Sequence, residues 1–315
     1  MNEQKSSIKL LSFLRWGGTL ISTALFIWLL LDQDWPTMWL TLRQMRVWIF
    51  PLAFGLYFLG VLFNAVRWYM LLRAQQIEIS FAEILKIVLV GNFASNFLPS
   101  TIGGDSVRMI SAARFAGWGL SVASVVMDRV LNMIVMLTLM PISLGVMQAA
   151  GALQAWQPAG AFAISGVALP ALVEKIRGLA LRWLKQAYDA IMVWRNRPGT
   201  VLLAFLSSWA ARMVVFSGVW VLGVELGIQV TYIQVVAIGT LTYVLSLLPI
   251  SVNGLGLREV SMSAMYIQLG ASIEQAATLV MMTRFILMIE TLPGALWISE
   301  TLTRARQTHT ELSEP

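Results

Sequence analysis

The sequence predicts an all-α polytopic membrane protein, with about six transmembrane helices and two re-entrant helical hairpins arranged as an inverted repeat. Three observations carry this prediction. Apolar residues fill 58% of 315 positions and charged residues only 12%, with a mean hydropathy of +0.74, whereas soluble domains run near a quarter charged. Apolar runs of about 20 residues, the length that crosses a bilayer, recur along the chain. Finally, Leu98-Pro99-Ser100-Thr101-Ile102-Gly103-Gly104-Asp105-Ser106-Val107-Arg108 returns 150 positions later as Leu248-Pro249-Ile250-Ser251-Val252-Asn253-Gly254-Leu255-Gly256-Leu257-Arg258.

The first span is expected over 10–31. It is too long for the apolar region of a signal peptide, no small-x-small site follows, and Lys5, Lys9 and Arg15 flank it. Further spans are expected over 47–72, 122–147, 152–173, 200–226 and 273–299; the fourth is interrupted by Gln154, Gln157 and Pro158. Segments 80–118 and 231–270 each read as an apolar helix, a Pro/Gly break and a second short helix. Neither half is long enough to cross alone, so both are expected to be re-entrant. Segment 174–198 sets Lys175, Arg177, Arg182, Lys185, Arg195 and Arg197 against only Glu174 and Asp189. The positive-inside rule therefore makes it an amphipathic cytoplasmic linker. Together with the basic N-terminal region and Arg304 and Arg306, it places both termini in the cytoplasm. On that map the two hairpins enter from opposite sides. The chain 1–315 is then one integral membrane domain holding repeats 47–147 and 200–299.

The match extends upstream, where Ile77-Glu78-Ile79-Ser80-Phe81 parallels Ile228-Gln229-Val230-Thr231-Tyr232. Ser80 with Glu83, and Thr231 with Gln234, form capping-box patterns at equivalent points. Downstream, Arg129 and Pro141 find looser counterparts in Arg284 and Pro293. The strict identities include Pro, Gly and Arg rather than interchangeable aliphatics, which favours duplication over chance likeness.

Unpaired backbone groups cost several kcal/mol each in hydrocarbon, so a broken helix survives only when buried in protein or lining a wet cavity. A break also presents orphan amides at the positive end of the helix that follows. Gly103-Gly104 and Gly254-x-Gly256, beside Asn253, would let a ligand approach that backbone. Arg108 and Arg258 add a planar cation about one turn further in, as in a phosphate or carboxylate cradle. Asp105 has two readings: part of that cradle, or a helix cap paired with Arg108 on the same face. Asp128, Arg129, Glu259 and Arg284 are ionisable groups at expected membrane depth and join the candidate substrate-binding set. Asp128 and Arg129, being adjacent, must find different partners. Glu290 lies inside the sixth span. Arg67 and Arg212 read as snorkelling towards an interface, and Gly223-x-x-x-Gly227 as a weak helix-packing signal. Cys is absent and the single His, His309, lies in a polar tail, so thiol chemistry is excluded and no metal site or cofactor is expected. The charge of +6 suits anionic lipid head groups rather than nucleic acid.

Arg67-Trp68 with Leu71-Leu72, Gly91-Asn92-Phe93, Asn96-x-Leu98-Pro99-Ser100, Gly103-Gly104-Asp105-x-x-Arg108, Asp128-Arg129 and Pro249-x-Ser251-x-x-Gly254-x-Gly256-x-Arg258-Glu259 together resemble the lysylphosphatidylglycerol synthase transmembrane (flippase-like) family. The resemblance runs from about residue 10 to 299 and adds Asn96 and Ser100 to the candidate substrate-binding residues. It implies a bacterial inner-membrane protein that moves an amphiphile with an anionic or modified head group, a phospholipid or a polyprenyl-linked sugar, between leaflets. Fused members carry a soluble aminoacyl-transfer domain; here the chain ends soon after the sixth span, so that activity is not carried over. A non-enzymatic translocase is thus expected, with Arg108 and Arg258 holding a phosphate. Two other classes remain open: a scaffold docking a membrane enzyme partner through 174–198, and an intramembrane enzyme using Asp105 or Asp128. The latter lacks the companions that a reaction centre needs.

Overall fold

In the computed structural model the described residues are 36, 42–97, 103–152, 185, 188–246 and 256–301. All regular structure among them is helical. Seven α-helices carry the fold: α1 (Ile49–Ala74), α2 (Phe81–Phe97), α3 (Gly104–Ala149), α4 (Pro198–Glu225), α5 (Tyr232–Ser246), α6 (Leu257–Gln268) and α7 (Ile273–Ile289). The expected spans at 10–31 and, apart from its first residue, 152–173 lie outside the described residues, as do both hairpin tips, most of the linker and the C-terminal tail. Among the described residues, four stretches are long and apolar enough to cross a membrane: Ile49–Ala74, Gly104–Ala149, Pro198–Glu225 and Ile273–Thr301.

The ends of these helices are written in local chemistry. Ser80 Oγ accepts from Glu83 N–H at 3.2 Å, while Thr231 and Gln234 exchange both bonds of a capping box. Ser272 and Gln275 form another at the start of α7. Helix α1 closes with Ile77 N–H on Leu72 O and Gln76 N–H on Arg73 O, a Schellman motif with Gln76 at φ 62°. Helix α4 closes the same way, with Ile228 on Gly223, Gly227 on Val224, and Gly227 at φ 75°. Gly227 is therefore a helix terminator. The expected Gly223-x-x-x-Gly227 packing face is not formed, because its second glycine lies past the helix end.

Two expected elements differ in detail. Helix α3 runs through the end of the first hairpin into the third span, turning at Gly117 (φ 70°, ψ 163°), a conformation that favours glycine. The Ser121 hydroxyl reaches Met109 O across this turn. The sixth span is interrupted after Ile289 by a 3₁₀ turn at Leu292–Gly294, with Pro293 supplying no N–H to continue the α-helical ladder. Helical residues resume at 295–301.

The chain divides into two compact units, each containing one of the segments expected to be hairpins, 80–118 and 231–270, by which the units are labelled. The first-hairpin unit comprises Leu59–Val135, Leu153–Arg212 and Thr291–Pro315; the second-hairpin unit comprises Met1–Phe58, Met136–Ala152 and Met213–Glu290. In the first-hairpin unit, α2 and the start of α3 pack antiparallel. Glu83 pairs with Arg114 at one end, and Gly104 N–H donates to Ser95 Oγ at 3.0 Å at the other. A core of Leu71, Val126, Met127, Val130 and Leu131 takes Ala190 and Trp194 from the end of the linker, and Trp194 Nε1 donates to Leu71 O at 2.9 Å. In the second-hairpin unit, α6 packs against both α5 and α7.

Candidate functional site: two charged clusters at the helix breaks

The first cluster is built on two glycines. A Cβ at Gly104 would collide with the carbonyl of Gly91, and one at Gly91 would meet Arg108 Cγ at 2.8 Å. Bare backbone at both positions lets α2 and α3 touch and gives the Arg108 stem its lane. Among the described residues, nothing approaches the place where a Gly103 side chain would stand.

Arg108 donates from Nη1 to Asp128 Oδ2 at 3.0 Å and lies 3.9 Å from Asp105. Its guanidinium sits 4.3 Å from the Trp68 ring centroid, within cation–π range, and Trp68 is fixed by its own bond to Ser124 Oγ at 3.1 Å. Asp128 is shared: its Oδ1 accepts from Arg67 Nε at 2.6 Å, and Arg67 Nη1 reaches Ser208 Oγ at 3.0 Å. Arg67 and Asp128 are only 3% and 4% exposed. The expected snorkelling of Arg67 is thus corrected, since a buried carboxylate and a hydroxyl satisfy it inside the protein. Arg212 likewise donates to Asn132 Oδ1 at 2.9 Å. Arg129 turns the other way and pairs with Asp105, so the two neighbours do have different partners. Asn96 donates to Thr291 Oγ1 at 3.4 Å.

The second cluster begins at Gly256, which precedes α6 at φ 78°. Its N–H donates to Glu259 Oε2 at 2.8 Å, and Glu259 Oε1 lies 3.7 Å from Arg284 Nη1. Both partners are buried. Arg258 is half-buried and makes no salt bridge among the described residues. Among the described residues, the hydroxyls of Tyr57 and Tyr266, Glu290 Oε2 and Arg284 Nε are buried with no hydrogen-bond partner. Tyr57 is held from behind by Gly218, where a Cβ would meet its ring at 2.8 Å.

Of the residues expected from sequence, the structure joins Asp105, Arg108, Asp128 and Arg129 in one cluster, and Gly256, Arg258, Glu259 and Arg284 in the other. Ser100, Asn253 and Gly254 lie outside the described residues. Sequence reasoning did not place Arg67, Ser208, Tyr57 or Tyr266 in a site. Nothing local distinguishes a tyrosine facing a polar cluster from one anchoring an interface. Glu290 was singled out as an ionisable residue inside the sixth span, but sequence reasoning did not assign it to the site.

Buried, mutually compensated charges at two helix breaks in an apolar chain are what the resemblance leads one to expect. The match to the model of the lysylphosphatidylglycerol synthase TM region, over residues 15–294, decides the matter. The chain belongs to this family. Both clusters lie within the matched region. A relative with curated standing, the UPF0104 membrane protein PH1989 of Pyrococcus horikoshii, is 24% identical, over 78% of this chain and 85% of its own length. With the four long apolar stretches, family membership makes this a multi-pass membrane protein. No group of three or more His, Cys, Asp or Glu suited to a metal occurs among the described residues.

Proposed function

We propose that the protein is a lipid translocase of the bacterial inner membrane, moving an amphiphile with a phosphate-bearing head group between leaflets by alternating access. The observation that carries this reading is the placement of Arg108 and Arg258 beside helix breaks in a chain of this family. Such residues are costly in a bilayer and mark transport paths. Arg258 stands in the first turn of its helix and Arg108 about one turn into its own, near N-terminal ends that favour an anion. Two re-entrant hairpins in an inverted repeat, with the basic linker and both termini in the cytoplasm, supply the symmetry by which carriers of this kind present one site to either side.

The test is lipid movement in proteoliposomes, comparing wild type with the Arg108→Ala/Arg258→Ala double variant. Head-group-selective movement in wild type that is lost in the variant is expected. Movement unaffected by the variant would make both arginines structural. Absence of movement with every lipid, at an imposed proton gradient as well as without one, would favour the scaffold reading.

A further inference from the structure

We infer that helical residues 188–193, with Lys185 before them and Arg195 and Arg197 after them, form an interfacial anchor for the anionic lipid of the leaflet at the C-terminal end of α1. An apolar stripe of Tyr188, Ile191 and Met192 enters the bilayer surface, and the flanking cations hold lipid phosphates. The inference stands apart from the translocase reading, because it concerns the membrane around the protein and not a lipid that the protein moves.

The first support is the way this segment is fixed. Trp194 Nε1 donates to Leu71 O at 2.9 Å, and Gln75 Nε2 donates to Val193 O at 2.9 Å. Each acceptor is a carbonyl near a helix end, where the helical ladder runs out of donors. Helix α1 and residues 188–193 thus cap each other. Ala190 and Trp194, four apart, turn one face into the core with Leu71 and Val126. Helix α4 begins soon afterwards, at Pro198. Both α1 and α4 are long and apolar enough to cross a membrane, so the segment is held where two crossing helices reach the bilayer surface.

The second support is the opposite face. Tyr188, Ile191 and Met192 are 59%, 40% and 38% exposed, and their i, i+3, i+4 spacing aligns them in one stripe. Exposed Lys185 stands three residues before this stripe and exposed Arg195 three residues after it. An apolar stripe with a cation at each end has the layout of a helix lying in the head-group layer, where long basic side chains reach the phosphates. The apolar surface continues along α4, where Leu202, Leu203 and Leu206 are each more than half exposed, as on a face turned to lipid.

The third support is charge. Lys185, Arg195, Arg197 and Arg73, in the last turn of α1, are exposed and make no salt bridge among the described residues. The exposed acids of the same stretches are Glu78 and Asp189. The negative end of a helix attracts cations, which accounts for Arg73 and Arg195. Lys185 lies on the other side of Tyr188, away from that end, and calls for an external anion. Because the segment is tied to two crossing helices, anionic head groups are the anions always within its reach.

The chain has no Cys, so Met192→Cys places one polarity-sensitive fluorophore on the stripe of the full-length protein. The labelled protein is studied in nanodiscs of phosphatidylcholine, alone or with phosphatidylglycerol. An apolar environment is expected in both, with a further apolar shift on adding phosphatidylglycerol that high salt reverses. Amide exchange over 188–194 in the unlabelled protein should slow in the same order. Lys185→Gln/Arg195→Gln/Arg197→Gln should weaken the phosphatidylglycerol dependence about fivefold for each cation removed and leave the label in apolar surroundings. A label that stays in water in both nanodiscs would overturn the anchor and give this face to a protein partner. Equal signals with and without phosphatidylglycerol, or a shift that survives in the triple variant, would overturn its binding of anionic lipid.

Discussion

The two clusters share a plan and reverse its signs. In the first-hairpin unit the helix after the break supplies the cation, Arg108, and the following span the carboxylate, Asp128. In the second-hairpin unit the helix after the break supplies the carboxylate, Glu259, and the following span the cation, Arg284. The surroundings then diverge. Asp128 is saturated by two guanidiniums, and Arg108 is also stacked on Trp68. In the second unit Arg258 makes no salt bridge among the described residues, and Tyr57, Tyr266 and Glu290 keep buried polar atoms that no described residue satisfies. The lesson is that an arginine at a duplicated motif position can be a clasp in one copy and an open ligand in the other.

Removing Asp128 breaks this comparison most severely. Asp128→Ala leaves Arg67 buried without its carboxylate and should cost about 3–5 kcal/mol in detergent unfolding, as loss of one partner of a buried pair does. The Arg67→Met/Asp128→Leu double variant should recover much of that loss, because an apolar replacement removes both desolvation penalties. A mild phenotype for Asp128→Ala would mean the clasp is not the structural member of the pair.

Gly104→Ala should come next. Its new methyl meets the Gly91 carbonyl, and forced overpacking costs about 1–3 kcal/mol. Gly103→Ala, whose methyl meets no described residue, should stay within about 0.5 kcal/mol of wild type. Equal effects at the two glycines would refute the close α2–α3 contact.

An equally small effect on stability, within about 0.5 kcal/mol, is expected for Arg258→Ala, since no salt bridge to a described residue is lost. The same substitution should nonetheless abolish selective lipid movement. A large loss of stability with transport intact would turn the second cluster into another clasp and erase the difference between the units.

How much of this was legible depends on the range of the interaction involved. Ser80 with Glu83 and Thr231 with Gln234 announced their helix starts because a cap is a contact between residues three apart. The separate partners of Asp128 and Arg129 followed from helix geometry alone. Arg67 was misread because its partners, Asp128 and Ser208, lie 61 and 141 positions away, and a lone arginine in an apolar run has the same local appearance whether it is clasped or snorkelling. Gly227 was misread for a related reason: the spacing of two glycines does not say whether the helix ends between them.

By itself, the sequence determined that this chain lives in a bilayer, where several of its helices begin, and that a Pro/Gly motif with an embedded arginine recurs along it. Hydropathy, capping and turn chemistry are properties of neighbouring residues, and they act before the chain is packed. Only the tertiary structure decided which arginine is neutralised and which stays open. Burial, ion pairing and an unsatisfied hydroxyl are relations between segments far apart in the chain, and they exist only once those segments are packed together.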